Sequence, residues 1–158
     1  MDELGRSSRN HRAASLVRHN LARLPKAQIA ARVQPVSSTV LKVTVTVTPD
    51  FLFDGKCHSS GESFWVWLEA DGVPLGMLGG SEQVWVRGPG DIGRPATLDF
   101  YVDLDSGSIP GHLFVRTVSD RWLHAEQSVG VDLRGLVLPA PEDSSPHTDL
   151  LPLDPLPV

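Results

Sequence analysis

Apolar and polar residues alternate with a period of two along most of the chain, from about residue 27 to residue 138. In segment 39–48, the odd positions 41–47 are all aliphatic, and the even positions 42–48 hold a lysine and three threonines. Such alternation is typical of a strand with one buried face. The pattern predicts seven strands, at 28–34, 39–48, 63–69, 83–87, 97–104, 112–118 and 127–133.

Turn-forming residues separate these strands, among them Pro49-Asp50, Gly88-Pro89-Gly90 and Pro110-Gly111. Short strands with turns at this spacing favour a mainly β fold, an immunoglobulin-like antiparallel sandwich. The Gly-rich segment 71–96 interrupts the alternation, and no internal repeat is present.

Residues 11–24 follow a helical period instead. Apolar side chains recur on one side and basic ones lie between them: Ala13, Leu16, Val17, Leu21 and Leu24, with Arg12, Arg18 and Arg23. Pro25 prevents the helix from continuing. A helix this short is marginal alone, so we expect its apolar side to need a partner.

These changes of pattern divide the chain into three parts. We predict a basic N-terminal segment with a helix at 1–26, the sandwich at 27–138, and an extended Pro-rich tail at 139–158. The tail holds six of the thirteen prolines with PxxP-like spacing. We interpret it as a linker, with a peptide ligand as the alternative.

Strand 63–69 has two apolar faces, since Phe64, Val66 and Leu68 point one way and Trp65 and Trp67 the other. A sandwich strand usually has one polar face. We therefore expect the strand to be central. The opposing sheet would cover one face, and the helix or a neighbouring domain would cover the other.

Charge and cysteine content narrow the class of protein. Residues 1–26 hold six basic and two acidic residues, a net of +4, and the remaining eight basic and seventeen acidic residues give −9. Only the N-terminal segment could attract phosphate strongly. The single cysteine, Cys57, excludes a disulfide framework and favours a reducing intracellular compartment. No apolar run approaches the ~18 residues of a membrane span.

Motifs for catalysis or metal binding are weak. The Gly88–Gly93 region lacks the GxxxxGK[ST] pattern of a phosphate-binding loop. Cys57 and His58 are adjacent but have no second ligand pair, so a surface-loop pair is the preferred interpretation over a zinc site. Ser59, Ser60 and Ser119 have no GxSxG context, although a triad assembled only in space stays open.

The run SDRWLHAE contains a compact polar set: Asp120, Arg121, Trp122 and Glu126. It could form a contact surface. The preferred alternative is a structural corner in which Asp120 or Glu126 pairs with Arg121 and Trp122 closes the sandwich end.

The basic helix likewise has two interpretations. Arg12, Arg18 and Arg23 could make weak RNA contacts, or they could form a solvated face while the apolar side is buried. We prefer the solvated face.

Several segments together resemble the end of the SEC-63 homology unit of large DExH-box RNA helicases with two tandem cassettes. They are 33–51, 55–70, 114–126, 133–139 and 146–158, of which SDRWLHAE and the tail are the most specific. The chain departs from that family at Ser38, where a basic residue is usual, and at His124, where Gly is usual. Segments 71–96 and 105–111 also diverge.

The resemblance implies an immunoglobulin-like sandwich that acts as a non-catalytic accessory domain, braces the helicase domains and links cassettes. It implies no cofactor and no metal. Partners would be the helicase domains of the same protein and spliceosomal or cointegrator-complex proteins, with RNA contacted only weakly. The family's tail leads into a second cassette, so this chain would be a fragment of a nuclear or cytoplasmic helicase. A free-standing adaptor sandwich is the alternative.

Overall fold

The computed structural model describes residues 3–70, 78–104 and 108–140. Helix α1 (Glu3–Ala22) precedes the strands, and a short helix α2 (Gly55–His58) lies between the second and third. The strands are β1 (Ala27–Pro35), β2 (Val40–Pro49), β3 (Glu62–Ala70), β4 (Leu78–Val86), β5 (Ala96–Asp103), β6 (His112–Ser119) and β7 (Glu126–Asp132). All seven predicted strands are present. Only β4 has a clearly different start, at Leu78 rather than residue 83. The tail beyond Ala140 lies outside the described residues.

The strands form two antiparallel sheets, a three-stranded one in the order β1-β2-β5 and a four-stranded one in the order β4-β3-β6-β7. This order corresponds to strands A-B-E and C′-C-F-G of an immunoglobulin-like sandwich. The predicted antiparallel sandwich is confirmed. Strand β3 lies in the interior of its sheet, between β4 and β6, as its two apolar faces indicate.

The core lies between the sheets and is built from the alternating positions. The odd residues of β2 from Leu41 to Val47 are fully buried, as are Val66 and Leu68 of β3, Leu113 and Val115 of β6. Phe64 and Phe100 fill the space between them, at 1% and 2% exposed. The period of two therefore identifies the core face of each of these strands.

Helix α1 begins earlier than predicted, at Glu3, and ends at Ala22. Its apolar side is exposed, with Leu16 at 64%, Val17 at 56% and Leu21 at 56%. The expectation that this side is buried is therefore wrong for this chain. The physical reason is that the last turn carries the attachment to the sandwich. There the Leu52 N–H donates to the Ala22 carbonyl at 2.6 Å, and just beyond the helix the Asp50 N–H donates to the Lys26 carbonyl.

No helix in the described residues is both long and apolar enough to cross a membrane.

Candidate functional site

A buried carboxylate marks the start of β3. Glu62 is 0% exposed and shares the inward-facing parity of Phe64 and Val66. Its Oε1 atom accepts hydrogen bonds from Arg121 Nη2 at 2.9 Å and from Trp122 Nε1 at 3.0 Å. Its Oε2 atom has no partner in the described residues. A buried charge is costly unless it is paired, so Arg121 and Trp122 hold Glu62 in place.

Arg121 bonds several groups at this corner. Besides Glu62, its Nη2 group donates to the carbonyls of His58, at 3.0 Å, and Gly61. The predicted corner is therefore present, but the predicted pairing of Arg121 with Asp120 or Glu126 is wrong. The guanidinium turns toward the carboxylate and carbonyls of the segment before β3, because that segment holds the buried charge. One signal in the sequence points to Glu62: it is the acidic residue on the apolar parity of β3.

Hydrogen bonds of the Ser119 side chain and backbone fix the turn that carries Arg121. Ser119 Oγ accepts the N–H groups of Arg121 and Trp122 at 3.4 and 3.3 Å, and the Ser119 N–H donates to Ala125 at 2.8 Å. His124 has φ of 63°, in the left-handed region. Glycine adopts this conformation without a steric cost, which fits the glycine that the SEC-63 resemblance places there.

His58 connects this corner to the end of helix α1. The Asp54 N–H donates to His58 Nδ1 at 2.8 Å, so the neutral ring carries its hydrogen on Nε2. From Nε2 the ring donates to the Arg23 carbonyl at 2.9 Å. Phe51, Phe53 and Trp122 surround the ring, with centroids 5.1–5.9 Å away. His58 is fully buried, whereas its neighbour Cys57 is exposed. The two side chains therefore lie in different environments.

An ion pair completes the attachment of the helix. Arg23 Nη2 lies 2.9 Å from Asp54 Oδ2. The Lys56 N–H, which donates to Asp54 Oδ1 at 2.9 Å, lowers the pKa of Asp54, and the Arg23 charge adds to the effect. We call Arg23, Asp54 and His58 the helix latch. Arg23 is thus engaged within the chain, whereas Arg12 and Arg18 are exposed.

Three indole rings lie on the outer side of the four-stranded sheet. Trp65 is 40% exposed, Trp85 is 51% exposed, and Trp67 is partly buried. Val118 of β6 lies opposite Trp65 in the register. We call these four residues the tryptophan face. The predicted orientation of β3 is confirmed, because Phe64, Val66 and Leu68 are buried on the other side.

Each indole of this face donates to an acceptor beside it. Trp65 Nε1 bonds Asp120 Oδ1 at 3.1 Å, Trp67 Nε1 bonds Glu69 Oε1 at 2.9 Å, and Trp85 Nε1 bonds Gln83 Oε1 at 3.0 Å. Hydrogen bonds from Trp67 and Arg116 lower the pKa of Glu69. The face therefore combines aromatic surface, fixed ring positions and carboxylates.

The outer side of the three-stranded sheet has a different character. Lys42 Nζ lies 2.9 Å from Asp99 Oδ2 and 5.9 Å from the Tyr101 ring centroid, and Thr44 donates to Asp99 at 2.7 Å. The Thr44 and Lys42 hydrogen bonds lower the pKa of Asp99. This side presents paired charges and threonines, so the aromatic surface is concentrated on the four-stranded sheet.

The predicted interface residues form two neighbouring clusters. Trp65 meets Asp120 on the tryptophan face, and Arg121 meets Trp122 at the corner around Glu62. Glu126 begins β7 opposite Val118. A surface groove of about 380 Å³ runs along Trp67, Glu69, Arg116, Val118 and Glu126, among others. Sequence spacing missed Trp85, Glu69 and Arg116, because only the register of β4 and β6 against β3 brings them together.

Within residues 3–70, 78–104 and 108–140, no three His, Cys, Asp or Glu side chains are grouped as metal ligands. Both ring nitrogens of His58 are engaged in hydrogen bonds with the backbone. Gly88 precedes and Gly90 lies in a single 3-10 turn, Pro89–Asp91, where the Asp91 carboxylate accepts the Arg87 N–H at 2.8 Å. That turn has a carboxylate where a phosphate cradle would need positive charge.

The chain is similar to several curated proteins over nearly its whole length. It is 38% identical over 157 residues to the DExH-box ATP-dependent RNA helicase DExH12 of Arabidopsis thaliana. It is 33% identical to the activating signal cointegrator 1 complex subunit 3 of Bos taurus, over 158 residues, and to the human U5 small nuclear ribonucleoprotein 200 kDa helicase, over 157 residues. Each match covers 99% of this chain but 7% of the relative.

Among solved structures, the chain is similar to the sensor domain of the anti-sigma factor RsgI4 of Pseudobacteroides cellulosolvens. The TM-score is 0.44 at 15% identity, and the match covers 84% of this chain and 92% of that one, a likeness too low to define function. The family model of the Sec63 Brl domain matches residues 6–132. The chain belongs to the Sec63 Brl domain family.

Proposed function

We propose that this chain is a non-catalytic accessory domain of a DExH-box RNA helicase, which braces the helicase domains and links one cassette to the next. Family membership supports the helicase context, since the relatives are large helicases of which the chain spans 7%. The observation that carries the bracing role is the tryptophan face. Soluble domains seldom keep several large aromatic rings exposed on one sheet unless something packs against them.

The other polar clusters suit a mechanical role. Arg121 joins the start of β3 to the turn after β6, and the helix latch fixes the end of α1 to the loop before β3. These contacts form one continuous path from the helix, through His58, to the corner. Such a path would connect the helix to the sandwich in a domain that resists motion between helicase domains.

Catalysis would then belong to other parts of the parent helicase. We propose that this chain supplies no group for ATP hydrolysis and uses no cofactor or metal. RNA contacts would be weak and confined to residues 1–26, through Arg12 and Arg18, while Arg23 serves the helix latch. The names of the relatives suggest spliceosomal or cointegrator-complex proteins as wider partners, in the nucleus or cytoplasm.

The test uses the whole parent helicase. Trp65→Ala with Trp85→Ala removes the exposed rings, and Tyr101→Ala, which is 56% exposed on the opposite sheet, is the matched control. We expect ATP-dependent unwinding to fall and protease cleavage between this domain and the helicase core to accelerate, in the tryptophan variant only. Equal unwinding and equal cleavage in both variants would refute the bracing role. A free-standing adaptor would also need the face, but its loss would not change unwinding.

A further inference from the structure

The two indole–carboxylate pairs of the tryptophan face differ in one respect. Trp67 bonds Glu69, and Glu69 Oε2 also accepts from Arg116 Nε at 2.7 Å, so this pair has its own cation. Trp65 bonds Asp120 in the same way. In the described part of the chain, no cationic side chain pairs with Asp120, and the adjacent Arg121 is turned toward Glu62. The Trp67–Glu69 pair thus has a cation, and among the described residues the Trp65–Asp120 pair has none.

We propose that the Trp65–Asp120 pair receives the guanidinium of an arginine from a protein partner. This inference rests on the proposed function and names the chemistry of the surface that covers the tryptophan face. Arginine suits the pair better than lysine, because a planar guanidinium stacks on an indole and also forks onto a carboxylate. In the Trp67–Glu69–Arg116 group on the same sheet, one carboxylate accepts hydrogen bonds from both an indole and a guanidinium.

The Trp65–Asp120 pair is already positioned for such a contact. The Trp65 indole is oriented by its bond to Asp120, and the backbone N–H of Asp120 donates to the Ser63 carbonyl at 3.0 Å. Both residues therefore have fixed positions on the β3–β6 side of the sheet before any partner arrives. A preorganised site loses less conformational entropy on binding.

The charges favour a protein partner over a nucleic acid. Glu69, Asp120 and Glu126 lie on this side of the sheet, against Arg116. Around the indoles, these three carboxylates and one guanidinium would repel phosphates, so base stacking on the rings would be opposed. A protein segment with one or two arginines and apolar neighbours matches both the carboxylates and the exposed surface of Trp85 beside the half-buried Val118.

The test titrates the full chain, labelled with ¹⁵N, with three nine-residue peptides. The peptides share the same leucine and alanine positions and carry arginine, lysine or glutamine at two sites. The Trp65 indole N–H signal reports binding. We expect the arginine peptide to shift it saturably, the lysine peptide to bind about threefold more weakly, and the glutamine peptide to bind about tenfold more weakly.

Asp120→Asn is the decisive variant, because the amide oxygen can still accept from Trp65 while the charge is removed. We expect it to weaken the arginine peptide by about threefold to tenfold. Asp103→Asn, an exposed aspartate on β5 of the other sheet, is the matched control and should leave binding unchanged.

Three results would overturn the inference. They are equal binding of the glutamine peptide, unchanged binding to Asp120→Asn, or a single-stranded oligouridylate that shifts the Trp65 signal at lower concentration than the arginine peptide. The titration uses this chain alone, so its failure can be distinguished from a failure of the proposed bracing role. If it fails while the double tryptophan variant still impairs the parent helicase, the bracing role stands with a different partner chemistry.

Discussion

Glu62 and Arg121 are 59 residues apart in the chain, yet Arg121 Nη2 lies 2.9 Å from Glu62 Oε1 and the Glu62 side chain is fully buried. The contact joins the first residue of β3 to the turn that follows β6. Because Trp122 shares the same oxygen, one carboxylate fixes both side chains that close this end of the sandwich. The stability of the corner should therefore depend on the pairing more than on either residue alone.

Arg121→Ala should lower the free energy of unfolding by about 3 kcal/mol, because it leaves the Glu62 charge buried without a counter-ion. This value is at the low end of the usual range, since Arg121 is 45% exposed and water can partly replace it. Glu62→Gln combined with Arg121→Ala should recover part of the loss. Urea unfolding of the wild type and these two variants measures this. Unfolding of Arg121→Ala at the wild-type midpoint would contradict a stabilising role.

The two sides of β3 should respond differently to truncation. Phe64 is 1% exposed and Trp65 is 40% exposed. Phe64→Ala should lower the free energy of unfolding by about 3–5 kcal/mol, whereas Trp65→Ala should cost about 1 kcal/mol or less in the isolated chain. Thermal unfolding followed by circular dichroism measures both. A large loss for Trp65→Ala would mean that the tryptophan face is part of the fold and not a surface left for a partner.

The sequence predicts much of the sandwich, because an alternation with a period of two shows which residues of a strand share a face. It identifies the core side of β2 and β3. Glu62 precedes the predicted strand 63–69 and shares the inward parity of Phe64, and a buried carboxylate is costly without a partner such as a cation. Which cation it is depends on how β6 pairs with β3, which no local pattern states. Spacing alone favours Asp120 or Glu126 for Arg121, and the tertiary contact overrides it.

Helix α1 illustrates a second limit of local patterns. A helical period predicts which residues form its apolar side, including Leu16 and Leu21, but it contains no information on what packs against them. In this chain they are exposed. The attachment of the helix instead depends on Arg23, Asp54 and His58, which are brought together over more than thirty residues of sequence.

Acid should remove the stabilisation that the Asp132–Arg134 ion pair provides at the end of β7. Two side-chain hydrogen bonds and a backbone N–H from Arg134 lower the pKa of Asp132 from 3.8 to about 2. A lowered folded-state pKa means that the stabilisation is complete above the unfolded value of 3.8 and is lost as the pH falls through about 2. Asp132→Asn and Arg134→Gln should therefore melt at a lower temperature than wild type at neutral pH, and this difference in melting temperature should close at pH 2. A difference that stays constant between neutral pH and pH 2 would exclude the ion pair as its source.

RNA binding should be weak and should depend on the basic helix. Arg12 and Arg18 are exposed on α1, and residues 1–26 carry a net charge of +4. If both arginines contact phosphates of single-stranded RNA, replacing them with glutamine should reduce the slope of log K against log salt by about 1.4. Arg87→Gln with Arg94→Gln, two exposed arginines near the β4–β5 connection, is the matched control. Equal slopes for both double variants would place the RNA contact elsewhere.

The turn at His124 should be more stable with glycine than with a branched side chain. His124 has φ of 63°, and Leu123 beside it is 90% exposed, so the conformation is imposed by the turn and not by packing of its neighbour. A non-glycine residue in the left-handed region costs about 1–2 kcal/mol, and glycine regains part of this at an entropic cost of about 0.5–1 kcal/mol. His124→Gly should therefore melt at or slightly above the wild-type temperature. His124→Val should melt several degrees below it, because branching at Cβ makes the left-handed region less accessible.

Leu123→Val is the control for branching by itself in this turn, and it should change the melting temperature little. Equal melting of His124→Gly and His124→Val would mean that the turn relaxes out of the left-handed conformation, and hydrogen exchange at the Ala125 amide would then increase in the valine variant.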